Sequence, residues 1–154
     1  MNDASPAPLL AAISSLQRLS DVFARRRAQL ASAAGLSEAQ WRVLEEIESE
    51  GFMPSLFARQ RDCSAAAVSN LLRQLADQKL VRASISSADA RQRDYALTAA
   101  GRRALERVRA ARRDAIDAVW SDLAPRELRS FADFSLQLAE RLEAYADRTE
   151  GAQR

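Results

Sequence analysis

The sequence predicts a mainly α-helical protein carrying one small β-hairpin. Three observations predict it. Only four of the 154 residues are Gly and four are Pro, so long helices meet few interruptions. Apolar residues recur every three to four positions over most of the chain, the spacing of one helical face. Between Leu80 and Leu97 that rhythm stops, and two strand-like runs flank a polar loop.

The length suits one compact domain with extended helical arms. An apolar content of 47% excludes a mainly disordered chain. Formal net charge is only +2, but the charge is unevenly spread. From Arg82 to Arg113 nine Arg face only Asp89, Asp94 and Glu106. Such a local excess is an electrostatic footprint for phosphate. One Cys and no His exclude a disulfide framework within the chain and argue against a structural zinc site. Paired carboxylates in a cleft and a Gly-rich phosphate loop are also missing, so no enzyme is expected and no cofactor. No stretch reaches the ~20 apolar residues of a membrane helix, and no basic n-region precedes an apolar run. A cytoplasmic protein is expected.

Met1 to Ala7 reads as a frayed end. Pro8 or Leu9 opens a helix whose stripe is Leu9, Leu10, Ile13, Leu16, Leu19, Val22, Phe23 and Leu30. A stripe that long needs a partner surface, in the same chain or in a second copy. Arg25, Arg26 and Arg27 read as a solvated turn. Gly35 ends the helix. Leu36-Ser37-Glu38-Ala39-Gln40-Trp41 then starts another: Ser37 caps, Gln40 answers from the third helical position, and Leu36 staples onto Trp41. Trp41, Leu44 and Ile47 continue one face, and Gly51 stops it. Trp41 reads as core rather than as a ligand-stacking ring.

Ser55 is expected to cap a short helix through Arg61. Asp62 and Ser64 are candidate caps for the next, Ser64 to about Lys79. In that helix Val68, Leu71, Leu72 and Leu75 form the buried stripe. Ala66, Asn70, Arg73 and Asp77 lie opposite, flanked by Ser69 and Gln74. Small residues let the backbone approach another surface closely, and Asn, Gln and Arg read base edges. Two short helices about a tight turn, the second with a polar outer face, make a helix-turn-helix. Leu80 to Ile85 and Arg93 to Leu97 then form the hairpin. Arg91 and Arg93 sit at or near its tip, suited to a narrow minor groove; the plainer reading is a solvated loop. Thr98 caps a long helix, and Gly101 in its first turn permits close approach to neighbouring backbone. Its stripe runs from Leu105 through Trp120 to Leu123. Pro125 opens the last helix, with Leu128, Phe131, Phe134, Leu138, Leu142 and Tyr145 on one face.

This order of elements resembles the MarR family of bacterial transcription regulators. Leu36-Ser37-x-x-Gln40-Trp41-x-Val43-Leu44 carries the resemblance, with Val68-Ser69-x-Leu71-Leu72-x-x-Leu75 and Leu80-Val81. Asp89-Ala90-Arg91 and Leu97-Thr98-x-x-Gly101 complete it, and it covers nearly the whole chain. The resemblance implies a winged helix-turn-helix lobe at 36–98 within a single domain, 1–154. Helices at 8–34 and 99–148 would interleave in a homodimer, and two lobes would read a palindrome on double-stranded DNA. By match to the motif, Ser64, Ala66, Ala67, Ser69, Asn70 and Arg73 line the major-groove face, and Arg91 is the wing arginine. It also implies a small phenolic or other aromatic effector that releases a repressor from DNA. Arg18, Trp41, Arg42 and Trp120 are the candidates for its pocket. The resemblance has departures. Lys79 stands where the family usually has Gly, Arg61 and Asp62 replace the usual apolar residue and Gly of the turn, and Ala83 and Ala90 replace basic wing residues. These motivate the alternative of a helical, dimeric protein-interaction module with weak DNA binding. Cys63, near a helix N-terminus and Arg59 and Arg61, is a candidate redox switch; the favoured reading is a small packing residue.

Overall fold

The computed structural model describes residues 6–49, 52–86 and 93–151. The chain forms two compact units, Met1–Arg113 and Asp114–Arg154. The described elements are six helices and a two-stranded antiparallel sheet, the mainly helical architecture with a hairpin that the sequence predicts.

The first unit opens with α1, Pro6–Ala33, two residues ahead of the expected start. Both nearby prolines fall in its first turn, where a missing N–H costs nothing. Gly35 ends it in the left-handed region, at φ +76°. Around that residue Leu36 N–H donates to Ala31 O and Gly35 N–H to Ser32 O, at 3.0 and 2.9 Å. This paired closure is the Schellman arrangement, which satisfies carbonyls the helix leaves open.

α2, Glu38–Glu48, carries the full capping box: Ser37 Oγ accepts Gln40 N–H, and Gln40 Oε1 accepts Ser37 N–H. It ends on Ser49; Gly51, the expected stop, lies outside the described residues. α3, Pro54–Gln60, starts on its proline and has no side-chain cap. Ser55 is therefore inside the helix rather than capping it, because the fixed φ of Pro54 already suits the first helical position.

The closure seen at Gly35 recurs twice without glycine. α3 ends through Asp62 at φ 48°, with Cys63 N–H on Ala58 O at 3.0 Å. α4, Ala65–Asp77, is capped by Ser64, whose Oγ accepts Ala67 N–H at 3.1 Å. It ends through Lys79 at φ 58°, with Leu80 N–H on Leu75 O and Lys79 N–H on Ala76 O, both at 2.9 Å. The apolar residues that bracket these turns, Leu36 and Ala31, Cys63 and Ala58, Leu80 and Leu75, all belong to or pack on one core. Arg61 takes the place of an apolar residue by laying its guanidinium 5.8 Å from the Phe57 ring centre.

That core is built from α2, α4 and the first half of α5, Ala99–Trp120. Val43 and Leu44, Val68 and Leu75, and Leu105 and Val108 are fully buried in it. β1, Val81–Ile85, pairs antiparallel with β2, Arg93–Leu97, from Val81 opposite Leu97 to Ile85 opposite Arg93. Among the described hairpin residues only the base is buried, at Val81 and Leu97. Phe52 meets Phe57 and Tyr95 edge-on, each at 5.9 Å, which ties the hairpin to α3.

The hairpin base and α5 meet on one peptide. Leu80 O accepts Thr98 N–H at 3.0 Å. The Thr98 hydroxyl donates to Lys79 O at 2.7 Å and accepts Gly101 N–H at 3.1 Å, the expected cap. A Cβ at Gly101 would lie 2.1 Å from Leu80 O, so only glycine fits there.

The second unit holds the end of α5 and α6, Pro125–Gly151. Glu127 in the first turn of α6 and Arg148 in its last complement the helix dipole. Phe131, Phe134, Leu142 and Tyr145 on this helix are exposed, as are Leu9, Leu10, Ile13 and Leu16 on α1. No described helix is long and apolar enough to cross a membrane.

Two substitutions at this junction have opposite expected signs. Lys79→Gly relieves the left-handed backbone and raises stability by about 1 kcal/mol. Gly101→Ala forces a methyl onto Leu80 O and lowers stability by about 2 kcal/mol. Urea unfolding midpoints at unchanged slope measure both.

Candidate nucleic-acid interface

α4 is seated on the core by Val68, Leu72 and Leu75, so its other side faces solvent. Ser64, Ala66, Ala67, Ser69, Asn70, Arg73 and Gln74 are all exposed. Residues 66, 70, 73 and 77 fall on one face by helical spacing, as the apolar pattern opposite them requires. Three alanines, 65–67, form the first turn and leave the backbone close to whatever it meets. Asn70 and Arg73 make no side-chain hydrogen bond or ion pair with the described residues. The Ser64 oxygen caps the helix and keeps its O–H to donate. Gln74 is engaged: its Oε1 accepts Gln40 Nε2 of α2 at 3.3 Å.

On the wing, Arg93 is exposed at the outer end of β2 and Arg82 is exposed on β1. Arg91, with Asp89 and Ala90, lies outside the described residues. The arginine-rich stretch is partly consumed within the chain. Of its eight described arginines, four have intramolecular partners among the described residues. Arg102 donates to Leu97 O, Arg107 to Ala34 O, Arg109 to Glu48 and Arg113 to Glu106. Arg107 and Arg109 thereby fasten α5 to the α1–α2 turn and to α2. Charge counting along the sequence overstates the free cation density for this reason. A carboxylate spaced from an Arg by tertiary contact is invisible in sequence.

At the α1–α2 turn one carboxylate oxygen of Glu38 receives both Arg42, at 2.6 Å, and Arg27, at 2.9 Å. Burial works to raise the Glu38 carboxyl, but the hydrogen bonds from Arg42 and Arg27 outweigh it and hold the group below its ordinary range. Next to it Trp41 is 5% exposed, and its Nε1 is buried with no acceptor among the described residues. Arg18 is exposed on α1, and Trp120, half-buried, belongs to the second unit. Cys63 is half-buried against the core, in keeping with a packing residue. Among the described residues no cluster of His, Cys, Asp and Glu is arranged to hold a metal ion.

Residues 34–92 match the family model described as MarR family. The match covers the winged-helix lobe, which is similar to the MarR family over that span. The solved structures similar to the chain share its fold. A MarR family transcription regulator is 17% identical, covers 92% of this chain and 95% of its own, and has a TM-score of 0.82. The Staphylococcus aureus MepR–DNA complex is 18% identical over 82% of this chain and 93% of its own, with a TM-score of 0.66. Staphylococcus aureus MarR in complex with salicylate and kanamycin is 16% identical over 88% and 93%, with a TM-score of 0.74. No curated protein matches the sequence.

Within the lobe, the two positions where the resemblance expects glycine carry Asp62 and Lys79, and both keep the left-handed backbone. The turn geometry therefore survives the substitutions. Sequence reasoning found Gln40 only as a cap and missed its bond to Gln74, because the two are 34 positions apart. The Arg27–Glu38–Arg42 cluster was equally hidden, since only the Glu38–Arg42 pair has helical spacing.

The cluster sets an expected pH dependence. The folded carboxyl of Glu38 titrates below its unfolded value of about 4.5, so its contribution is present above that pH and is lost as pH falls. Glu38→Gln is expected to lower stability by about 0.5–1 kcal/mol at pH 7 and by progressively less towards pH 3. Chemical denaturation of both proteins across that range measures the convergence.

Proposed function

We propose that this protein is a dimeric DNA-binding transcription regulator, an effector-responsive repressor that reads a palindromic operator. The observation carrying the reading is the outer face of α4. A capped helix, fixed to the core on one side, offers Ser69, Asn70 and Arg73 to solvent on the other. Such a helix fits the major groove, with its small first turn near the backbone and Asn70 and Arg73 within reach of base edges. The wing supplies Arg91 and Arg93 to the adjacent minor groove. The likeness of the fold to MepR bound to DNA supports this use of the face.

Dimerisation is proposed through 8–34 and 99–148. The apolar stripes of α1 and α6 are exposed in a single chain, Leu9 at 61% and Phe134 at 62%. A two-fold pairing buries such faces against themselves and sets two α4 helices about one DNA turn apart, roughly 34 Å. For the effector, the buried indole N–H of Trp41, without an acceptor among the described residues, is the supporting observation. A carboxylate or phenolate ligand near Arg42 would compete with Glu38 for its guanidinium. The neighbour holding salicylate supports an aromatic acid as the class. The reading as a protein-interaction module draws on the wing alone, since the turn retains its geometry.

Selection of bound duplexes from a random pool tests the reading. The expected result is an enriched palindrome with half-sites about one helical turn apart. On that site Arg91→Ala weakens binding by about 1–3 kcal/mol in a gel-shift assay, while Asn70→Ala changes the preferred base at one position per half-site. Absence of salt-dependent retention on heparin and on random duplex would instead favour the interaction module.

A further inference from the structure

Gln40 is the only buried polar side chain among the described residues, at 6% exposure. It bonds to two groups, and their chemistry dictates the direction of both bonds. The backbone N–H of Ser37 can only donate, so the Gln40 atom facing it, at 2.9 Å, is the carbonyl Oε1. The other end of the amide is then the NH2 group, a donor. It faces Gln74 at 3.3 Å, so Gln74 must turn its own carbonyl Oε1 inward. What remains of the Gln74 amide on the exposed side of α4 is its NH2. A run of three groups, Ser37 N–H, Gln40 and Gln74, thus passes a fixed polarity from the cap of α2 to the outer face of α4.

We infer that Gln40 is a specificity-determining positioning residue, which fixes Gln74 to present a hydrogen-bond donor, and not an acceptor, to the DNA. The inference rests on the DNA-binding reading of the α4 face. A free glutamine amide pairs with adenine by donating to N7 and accepting from N6. With its carbonyl turned towards Gln40, Gln74 cannot make that pair. It selects base edges that accept, guanine N7 and O6, thymine O4 or adenine N7, and rejects cytosine, whose edge only donates. Gln40 itself stays buried between α2 and α4 and acts on base choice only through Gln74.

Gln40→Glu tests this by reversing the polarity while keeping the cap, since Glu is equally suited to the third position of a capping box. Both carboxylate oxygens accept. Ser37 N–H occupies one, and the other draws the NH2 of Gln74 inward, which turns the Gln74 carbonyl out. Duplex selection is run on the wild type, Gln40→Glu and Gln74→Ala, with melting curves to establish that each is folded. The expected wild-type result is depletion of cytosine at one position per half-site, and no such depletion for Gln74→Ala. Gln40→Glu is expected to enrich cytosine or adenine at that same position, the bases that offer a donor. A buried residue with a merely structural role would lower affinity on all sequences alike and leave that preference in place. If Gln40→Glu does not fold, Gln40→Met replaces it. That change frees the amide to take either orientation, and discrimination at the position falls about fivefold. An unchanged preference in the folded Gln40 variant, or an unchanged one in Gln74→Ala, overturns the proposal. A wild type that enriches no sequence overturns the DNA-binding reading itself, and this proposal with it.

Discussion

The Leu80 peptide is the constraint on which the lobe depends. Its N–H closes α4 on Leu75, and its carbonyl receives Thr98 at the start of α5. The first turn of α5 is pressed against the same carbonyl, closely enough that residue 101 has no room for a side chain. One peptide therefore sets where α4 stops, where the hairpin leaves and where α5 begins. The left-handed turn at Lys79 is the condition for this, because without it Leu80 would not swing back over Leu75. The chain accepts a lysine in a conformation that costs an L-residue roughly 1–2 kcal/mol. The closure of the turn and the burial of Leu75 and Val81 around it more than offset that cost.

The same reasoning explains how α4 becomes a reading element. A helix of 13 residues has little stability alone and holds its position through its packed side. Here the packed side is fully committed to the core, and the opposite side is committed to nothing but solvent, save at Gln74. Among the described residues, a tie from the outer face back into the protein runs through the amide of Gln40, a buried group that completes a cap. The α2 cap and the α4 face are thus parts of one polar chain.

Much of the arginine that marks the second half of the sequence as a nucleic-acid binder is structural. Arg107 and Arg109 reach back to the α1–α2 turn and to α2, and Arg102 braces the end of β2. These bonds hold the first half of α5 in the core. Their charge adds to the general field of the protein, but their hydrogen-bonding groups are already engaged. Arg73 on α4 and Arg82 and Arg93 on the hairpin are exposed and make none of these bonds.

The sequence by itself determined the elements and their faces. The long helices were readable from apolar spacing, because burial of one face per helix is a local periodic demand, and the hairpin from the polar, turn-prone loop that interrupts it. The capping box at Ser37, the caps at Ser64 and Thr98 and the close approach at Gly101 were readable too, since each is a contact within a few residues or a demand for the absence of a side chain. The failures were of two kinds. The cap assigned to Ser55 moved to the residue before Pro54, a competition between two local signals only one residue apart. The left-handed turns at Asp62 and Lys79 were hidden because the residues there do not prefer that conformation; tertiary packing on both sides of the turn imposes it. Only the tertiary structure decided which arginines are spent internally and which way the Gln74 amide faces. Arg107, Arg109 and Gln74 depend on partners dozens of positions away, where spacing carries no information and a hydrogen bond exists only once the core has brought the two groups together.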